Sequence, residues 1–294
     1  MTAPDDAPAA SRHDAATDAP LSFFVSNGDG YLPTKLTKGP WGKSLAGNYV
    51  GGLLGRSIER IVDDPDLQPA RITVDLLRPV ALRAVRVQAN VVRHGRRIQL
   101  VDAVMTQNET LVARATALFL RRSEPGPGTV WTSPITMPAP PPENRTLAGD
   151  VPMFMWAYGR DPIAGTPGIG VDEWRHDGQK FAWMRETKQL VDHEPLTPFI
   201  RAVMAGDVTS SLAHWSTDGL HFINADYTLT LSRQPIGPDI GLASMSHYSY
   251  RGVATGVVTF FDRQGPIGSG VSTALANPGF TPPPSLTIRP ESAE

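Results

Sequence analysis

The sequence predicts an α+β fold built from two tandem units, each with one long central helix wrapped by an antiparallel β-sheet. The first observation is a repeated pattern, because residues 71–80 and 227–236 both alternate polar and apolar side chains and both contain a proline near the end. The second is a strand, polar turn and strand after each of them, at 104–116 and 258–272. The third is a helix-length amphipathic segment ahead of the strands in each unit.

Two pairs of landmarks give nearly the same spacing between the repeats. Pro79 and Pro235 are 156 positions apart (235 − 79), and Val112 and Ile267 are 155 apart (267 − 112). A shared offset indicates a duplicated unit, and 294 residues are enough for two domains of typical size. A site in such a protein can be retained in one copy and lost in the other.

In the first unit, a strand, a helix and four strands are predicted in that order. Residues 21–26 form a short apolar strand, and apolar residues recur at helical spacing over 49–62. Glycines within this helix weaken it by roughly 1 kcal/mol each relative to alanine, which suggests that another chain or a ligand approaches closely. The predicted strands that follow lie at 71–78, about 83–93, 97–106 and 111–121.

The second unit repeats the order of the first. A strand is predicted at 181–185 and a helix at 195–213, with Phe199, Ile200, Val203 and Met204 on one face of the helix. The apolar run 153–158 is predicted either to pack on the outer sheet or to form a subunit contact. The four predicted strands after the helix lie at 225–233, 240–250, 253–262 and 266–276.

Composition sets the expected limits of the two units. Alanine, aspartate and proline dominate the first 20 residues, and proline and glycine dominate the segment between the units. The expected organisation is a disordered tail (1–20), an N-terminal unit (21–122), a Pro-rich linker (123–150), a C-terminal unit (151–277) and a tail (278–294).

Charge and composition exclude several classes of function. The net charge of −2 provides no general attraction to nucleic acid or to an anionic membrane. The absence of cysteine excludes disulfides, thiolate nucleophiles and cysteine-based zinc sites, and no His-x-x-x-His spacing suggests another metal site. No signal peptide and no membrane span are recognised, so a cytoplasmic protein is expected.

The ordered series of segments resembles the double-hotdog acyl-CoA thioesterases, in particular the acyl-CoA thioesterase II family. The resemblance is carried by Gly-Pro-Trp at 39–41 with Leu-Leu-Gly-Arg-Ser-Ile-Glu-Arg at 53–60, by the strand at 222–233, and by the hairpin at 261–272; it covers roughly 20–276. It implies that both units are hotdogs. It also implies an acyl-CoA substrate hydrolysed to free acid and CoA, no cofactor, a role in fatty acid metabolism, and a possible homo-oligomer formed through the outer sheet faces.

The resemblance also assigns candidate catalytic residues in the second unit. The family's water-activating aspartate falls on Asp226, its Thr or Ser on Ser246, and its Gln on Ser272, where this chain departs from the family. Asp226 is expected to face the interior beside the helix of the other half. A second departure is Ala46, at a position where relatives often carry histidine. The carboxylate would act as the base or orient the water, and the hydroxyls would position it.

The start of the first helix is the predicted substrate-binding region. Gly47, Asn48 and Gly51 would let an acyl thioester approach the backbone, whose first N–H groups can hold an oxyanion. Trp41 would line the acyl tunnel. The alternative for the glycines is helix–sheet packing through small residues, and the alternative for Trp41 is a place in the core.

Two other functions are compatible with the same architecture. A catalytically weak or silent acyl-CoA-binding or lipid-binding protein would explain the departures at Ala46 and Ser272. An enoyl-CoA hydratase would require an aspartate followed five residues later by a histidine, and the chain contains no such Asp-x4-His pair.

Overall fold

The computed structural model describes residues 21–142, 151–162 and 168–281. The predicted tail at 1–20 and parts of the predicted linker and C-terminal tail lie outside these ranges. The described residues form two α-helices, α1 (Gly47–Glu59) and α2 (Pro198–His214), with short 3-10 turns at Lys35–Thr37 and Val171–Trp174. Both helices fall within a few residues of their predicted positions. Neither of them is long and apolar enough to cross a membrane.

Seventeen strands complete the described part of the chain. The strands of the first half are β1 (Ser22–Asn27), β2 (Gly30–Pro33), β3 (Leu67–Leu76), β4 (Arg86–His94), β5 (Ile98–Gln107) and β6 (Thr110–Arg121). The strands of the second half are β7 (Met153–Ala157), β8 (Gly168–Ile169), β9 (Phe181–Glu186), β10 (Gln189–Val191), β11 (Trp215–Ser216), β12 (Gly219–Leu220), β13 (Phe222–Asn224), β14 (Asp226–Leu231), β15 (Ile240–Tyr250), β16 (Val253–Asp262) and β17 (Gly265–Ala276).

Most of these strands belong to one large antiparallel sheet. Its twelve strands run in the order β4-β5-β6-β3-β14-β17-β16-β15-β9-β7-β8, with β13 paired to β17. The two halves of the chain meet at the hydrogen-bonded pair β3 and β14. A small sheet of β10, β1 and β2 joins the halves a second time. The predicted antiparallel sheet is therefore confirmed, while the predicted wrapping of a separate sheet around each helix stays a prediction.

The register of β3 and β14 relates directly to the repeat in the sequence. Thr73 pairs with Thr228, at a separation of 155 (228 − 73), and their hydroxyl oxygens lie 2.9 Å apart. Asp75 pairs with Asp226, and Arg71 pairs with Thr230. A shift of 155 converts 71 to 226 and 75 to 230, so it exchanges these two pairs. The junction therefore has the local two-fold register of two equivalent strands.

The helices pack against each other and against the same side of the sheet. α1 contacts β4, β5 and β6, whereas α2 contacts β14 to β17. Their close approach requires small residues on α1, because a Cβ at Gly55 would lie 3.2 Å from the Val203 side chain. Leu53, Phe199 and Tyr227, each fully shielded from solvent, belong to the core between the helices and the sheet.

A second apolar cluster lies apart from the main core. It is formed by residues of β7, β9, β15 and β16, and the linker residues Ile135 and Met137 pack on it. The indole N–H of Trp183 donates to the carbonyl oxygen of Pro138 at 3.0 Å, which holds the linker against the sheet. The apolar run at 153–158 therefore contains strand β7, which is part of the large sheet itself, and a subunit contact stays a prediction.

Candidate functional site

A cavity of about 100 Å³ lies between the start of α1 and the middle of α2. Its polar residues include Lys38, Asn48 and Asp207, and much of the remaining wall is apolar. The cavity therefore combines a carboxylate with a surface suited to hydrocarbon, the usual composition of a small-molecule site.

Asp207 provides the carboxyl group that lines this cavity. Burial raises the pKa of its carboxyl to about 6, while hydrogen bonds to the ionised form work against that rise. These bonds come from the Asn224 side-chain amide, whose nitrogen lies 2.8 Å from Oδ1, and from the backbone N–H of Asn48. A carboxyl with a pKa of about 6 is mostly ionised at neutral pH and can still accept a proton.

Asp207 meets the first turn of α1, which belongs to the other half of the chain. A Cβ at position 47 would overlap the Asp207 carboxylate, so glycine is required there. The N-cap residue Ala46 provides no side-chain hydrogen bond to this turn. The backbone N–H groups of the turn, which carry partial positive charge, are therefore available to groups from outside the helix.

A second carboxyl group, that of Glu186, lies next to the Asn48 side chain. It is buried on β9, and burial raises its pKa to about 8 despite the nearby positive charge of Arg201. Glu186 is consequently mostly protonated at neutral pH. The negative charge beside the start of α1 is then that of Asp207.

Asp226 does not have the orientation expected from the sequence. Its neighbour Tyr227 is completely buried and points toward the helices, so Asp226 points to the opposite face of β14. There Oδ1 accepts a hydrogen bond from the backbone N–H of Thr273 at 2.8 Å. The expected interior position of Asp226 was wrong because Tyr227 points inside. Successive side chains of a strand point to opposite faces of the sheet, so an error of one residue in the alternation places a side chain on the wrong face.

Ser246 and Ser272 lie in two different environments. Ser246 follows a β-bulge in β15 and is only partly buried, at the edge of a second cavity. Ser272 is fully buried in β17, with its hydroxyl oxygen 3.4 Å from Nε2 of His214. Within the described ranges no hydrogen bond links Asp226 with either serine, so the structure does not bring the three predicted residues together.

The histidine beside Ser272 is buried and pairs with the exposed His247. Nδ1 of His214 lies 2.7 Å from Nδ1 of His247, so one ring donates and the other accepts. Burial lowers the pKa of His214 to about 4, with the charge of His247 acting in the same direction. Two neutral imidazoles in this arrangement stabilise the contact between α2 and β15. In the described part of the chain, no group of three or more His, Asp or Glu residues is arranged to hold a metal ion.

The predicted substrate-binding residues divide into two groups. Asn48 lines the cavity and Gly47 lies against Asp207, as expected for a site at the helix start. Gly51 instead accommodates the hydroxyl group of Tyr227, which donates to the carbonyl oxygen of Val203 at 3.0 Å. Gly51 therefore serves packing, the alternative considered for the glycines. Trp41 packs on Phe280, which lines the cavity, with ring centroids 5.3 Å apart.

Sequence reasoning did not identify Asp207 or Asn224. The signal for Asp207 was present, because it lies three and four positions after Met204 and Val203 on the predicted buried face of the second helix. An acidic residue on a buried helix face needs a partner or a function. Asn224 is two positions before the aspartate that was selected, and a short polar side chain at a strand end gives no comparable signal.

Comparison with known proteins finds a family match in the first half of the chain. Residues 37–120 match the family model of the acyl-CoA thioesterase N-terminal domain. The resemblance to acyl-CoA thioesterases that the sequence indicated is confirmed. The matched segment contains the whole of α1, including the turn that contacts Asp207. No curated protein matches the sequence.

Solved structures show the hotdog fold over most of the chain. The acyl-CoA thioesterase II TesB2 of Mycobacterium marinum is 18% identical, with a TM-score of 0.58, and the match covers 89% of this chain and 98% of that protein. A hotdog-fold protein of unknown function from Alicyclobacillus acidocaldarius is 14% identical, with a TM-score of 0.61, over 86% and 94% of the two chains. A tesB protein of Mycobacterium avium subspecies paratuberculosis is 16% identical, with a TM-score of 0.58, over 82% and 89%. At these identities the matches establish the fold.

Proposed function

We propose that this protein is an acyl-CoA thioesterase that hydrolyses an acyl thioester to free acid and CoA, with Asp207 as the base that activates water. The observation that carries the proposal is the carboxylate of Asp207, mostly ionised at neutral pH, at a mostly apolar cavity beside the uncapped start of α1. The thioesterase domain match over residues 37–120 supports the same reaction class.

The proposed hydrolysis uses the side chains of Asp207 and Asn224. Asp207 accepts a proton from water as the water oxygen bonds to the thioester carbonyl carbon. Asn224, which already donates to Asp207 at 2.8 Å, fixes the carboxylate so that the water is held in position. The carbonyl oxygen becomes an oxyanion, the C–S bond then breaks, and the CoA thiolate takes the proton back from Asp207.

The oxyanion would be held by the first turn of α1. The N–H groups at a helix start lack partners within the helix and carry partial positive charge. The Asn48 N–H is used by Asp207, and within the described ranges no acceptor is recorded for the Gly47 N–H. The Gly47 N–H is thus the proposed donor to the oxyanion, a contribution of about 10²–10³ in rate in comparable sites.

The wider predictions from the sequence become part of the same proposal. We propose a double hotdog with units at 21–122 and 151–277, supported by the two-fold register of β3 and β14. Asp207 and Asn224 replace Asp226, Ser246 and Ser272 as the proposed catalytic residues. Cytoplasmic location, a role in fatty acid metabolism and assembly through outer sheet faces stay predictions.

The test is release of free thiol from a panel of acyl-CoAs with two to twelve carbons. We expect wild-type activity, a loss of about 10²-fold or more in Asp207→Asn, and near-normal rates in the matched control Asp226→Asn. Loss of activity in Asp226→Asn with normal rates in Asp207→Asn would reverse the site assignment. Binding of acyl-CoAs without any thiol release would favour the silent acyl-binding protein instead.

A further inference from the structure

One wall of the proposed active-site cavity is made of aromatic rings. Trp174, Trp215 and Phe280 all line it. The rings of Trp174 and Trp215 meet edge to face with centroids 5.4 Å apart, and those of Trp215 and Phe280 do so at 5.1 Å. Such contacts are among the favourable arrangements of aromatic pairs, so the three rings support one another. The wall is therefore expected to resist displacement by a flexible acyl chain.

Phe280 is the member of this wall that comes from outside the secondary structure. It follows β17, in a segment that is held by a backbone hydrogen bond on each side of Phe280. On one side the Asn277 N–H donates to the His221 carbonyl oxygen at 2.8 Å, and on the other the Thr281 N–H donates to that of Pro40 at 3.2 Å.

The ring of Phe280 is also supported by Trp41 and Trp215. Its centroid lies 5.3 Å from that of Trp41 and 5.1 Å from that of Trp215. Of the two tryptophans, Trp215 lines the cavity together with Phe280, whereas Trp41 is not among the lining residues. Phe280 therefore closes one side of the cavity with a second aromatic residue packed against it.

The volume of the cavity sets the size of the group it can receive. An apolar protein cavity of about 150 Å³ accommodates benzene, which has six carbon atoms. By the same proportion, the cavity of about 100 Å³ accommodates roughly four carbon atoms. Longer chains would have to displace one of the aromatic rings.

We infer that the site takes short acyl thioesters, of about four carbons or fewer, and that Phe280 sets this limit by closing the acyl end of the cavity. The inference rests on the proposed function and goes further, since thioester hydrolysis by Asp207 does not itself restrict the acyl chain. Phe280 acts on substrate choice, so its replacement should change the chain-length profile and leave the hydrolytic step intact.

The experiment is the measurement of kcat/KM for linear acyl-CoAs of two to twelve carbons, with wild type, Phe280→Ala and Phe280→Leu. Wild type should prefer chains of about two to four carbons and lose at least about tenfold by eight. Each additional methylene that becomes buried is worth roughly fourfold, so Phe280→Ala should raise the rate ratio of eight carbons to four by about tenfold or more. Phe280→Leu should lie between them.

Trp131→Ala is the matched control. This aromatic residue is 83% exposed and lies away from the cavity, so its removal should leave the profile unchanged. Thermal melting of each variant separates a change of specificity from loss of the fold, and Phe280→Leu provides the test if Phe280→Ala does not fold. A wild-type preference for eight or more carbons, or an unchanged optimum in a folded Phe280 variant, would overturn the inference.

The outcome also separates this inference from the proposed function. Turnover with an unchanged chain-length profile overturns the role of Phe280 and leaves the thioesterase proposal in place. If no thiol is released, calorimetric affinities of wild type and Phe280→Ala for butyryl-CoA and decanoyl-CoA test the chain-length limit alone. Equal affinity for the two chain lengths in wild type would then contradict the limit, as would failure of both to bind.

Discussion

Asp207 and Arg56 occupy matching positions in the two helices and have opposite environments. Each lies ten positions after the N-cap of its own helix (207 − 197 and 56 − 46), and each contacts the segment where the other helix begins. Asp207 meets the first turn of α1, whereas Arg56 bonds Glu194, three residues before the N-cap Thr197.

Asp207 and Arg56 differ in how the charge of the side chain is compensated. Arg56 has a 5% exposed side chain, bonds Glu194 through Nε at 2.5 Å, and donates to the Tyr31 hydroxyl at 2.8 Å. Asp207 has no cationic partner among the described ion pairs; it receives neutral donors and faces a cavity. The Arg56–Glu194 pair joins the two halves, whereas Asp207 leaves a carboxylate without a countercharge at the cavity. The helix of the second half thus contributes the candidate carboxylate, and the helix of the first half contributes the cation of an ion pair.

The largest effect is expected from adding a methyl group at Gly47, which lies against the Asp207 carboxylate. In Gly47→Ala the new Cβ would displace the carboxylate, and a shift of about 1 Å in a reacting group can reduce the rate about 10²-fold. Gly55→Ala is the control, because its Cβ would meet Val203 at 3.2 Å, away from the cavity, and affect packing only. Steady-state kinetics should show loss of kcat in the first variant and not in the second. Equal kinetics would argue against catalysis at the start of α1.

A loss of stability is expected from changing the Arg56 end. Arg56→Met keeps part of the side-chain volume and leaves Glu194 with its more exposed partner Arg60, so the free energy of unfolding should fall by about 2 to 3 kcal/mol. Glu194 is partly exposed, which keeps the loss below that of a fully buried pair. Urea denaturation measures the change, and kcat should remain close to wild type in the folded variant. A stable variant with reduced kcat would contradict the division between the two ends.

The two ends should also respond to pH with opposite signs. Burial raises the pKa of Asp207 to about 6, so the folded state holds a proton that the unfolded state releases, and Asp207 lowers stability as pH rises from about 4 to 6. Asp207→Asn removes this effect and should gain roughly 3 kcal/mol relative to wild type at pH 8 and little at pH 4.

Arg56 lowers the pKa of Glu194, which therefore contributes stability above its unfolded pKa and loses it as pH falls. Glu194→Gln should accordingly lose stability at pH 8 and approach wild type at low pH. Thermal melting across pH 4–8 compares the two variants. Profiles that shift in the same direction would show that the two carboxyls do not differ in the way described.

The smallest effects are expected at the helix caps. Thr197 accepts from the Ile200 N–H at 3.1 Å and donates to Glu59, so Thr197→Ala should cost about 1 kcal/mol. Ala46→Ser would add a cap that α1 lacks and should stabilise by up to about 1 kcal/mol. The added hydroxyl would compete with Asp207 for N–H groups of the first turn, so activity should fall while stability rises. An Ala46→Ser variant that gains stability at full activity would show that these N–H groups do not serve the reaction.

Much of the fold could be predicted from local patterns. The predicted helices at 49–62 and 195–213 appear at Gly47–Glu59 and Pro198–His214. The strands predicted at 240–250 and 253–262 have the predicted limits. These elements were readable because apolar periodicity and turn residues act over short stretches of chain. The site was less readable, since Asp207 comes from one half of the chain and Gly47 from the other.

The sequence by itself predicted a repeat with a spacing of 155 to 156 positions, and the paired Thr73 and Thr228 are 155 positions apart. It also determined that the start of the first helix is glycine-rich. The tertiary structure alone decided which carboxylate meets that start. The alternation of side chains along β14 turns Asp226 away from the helices. The crossing of α1 and α2 brings Asp207 within reach of the Asn48 N–H. The tertiary structure also decided that Phe280, predicted to lie in a tail, lines the cavity, since contacts between distant segments leave no local pattern.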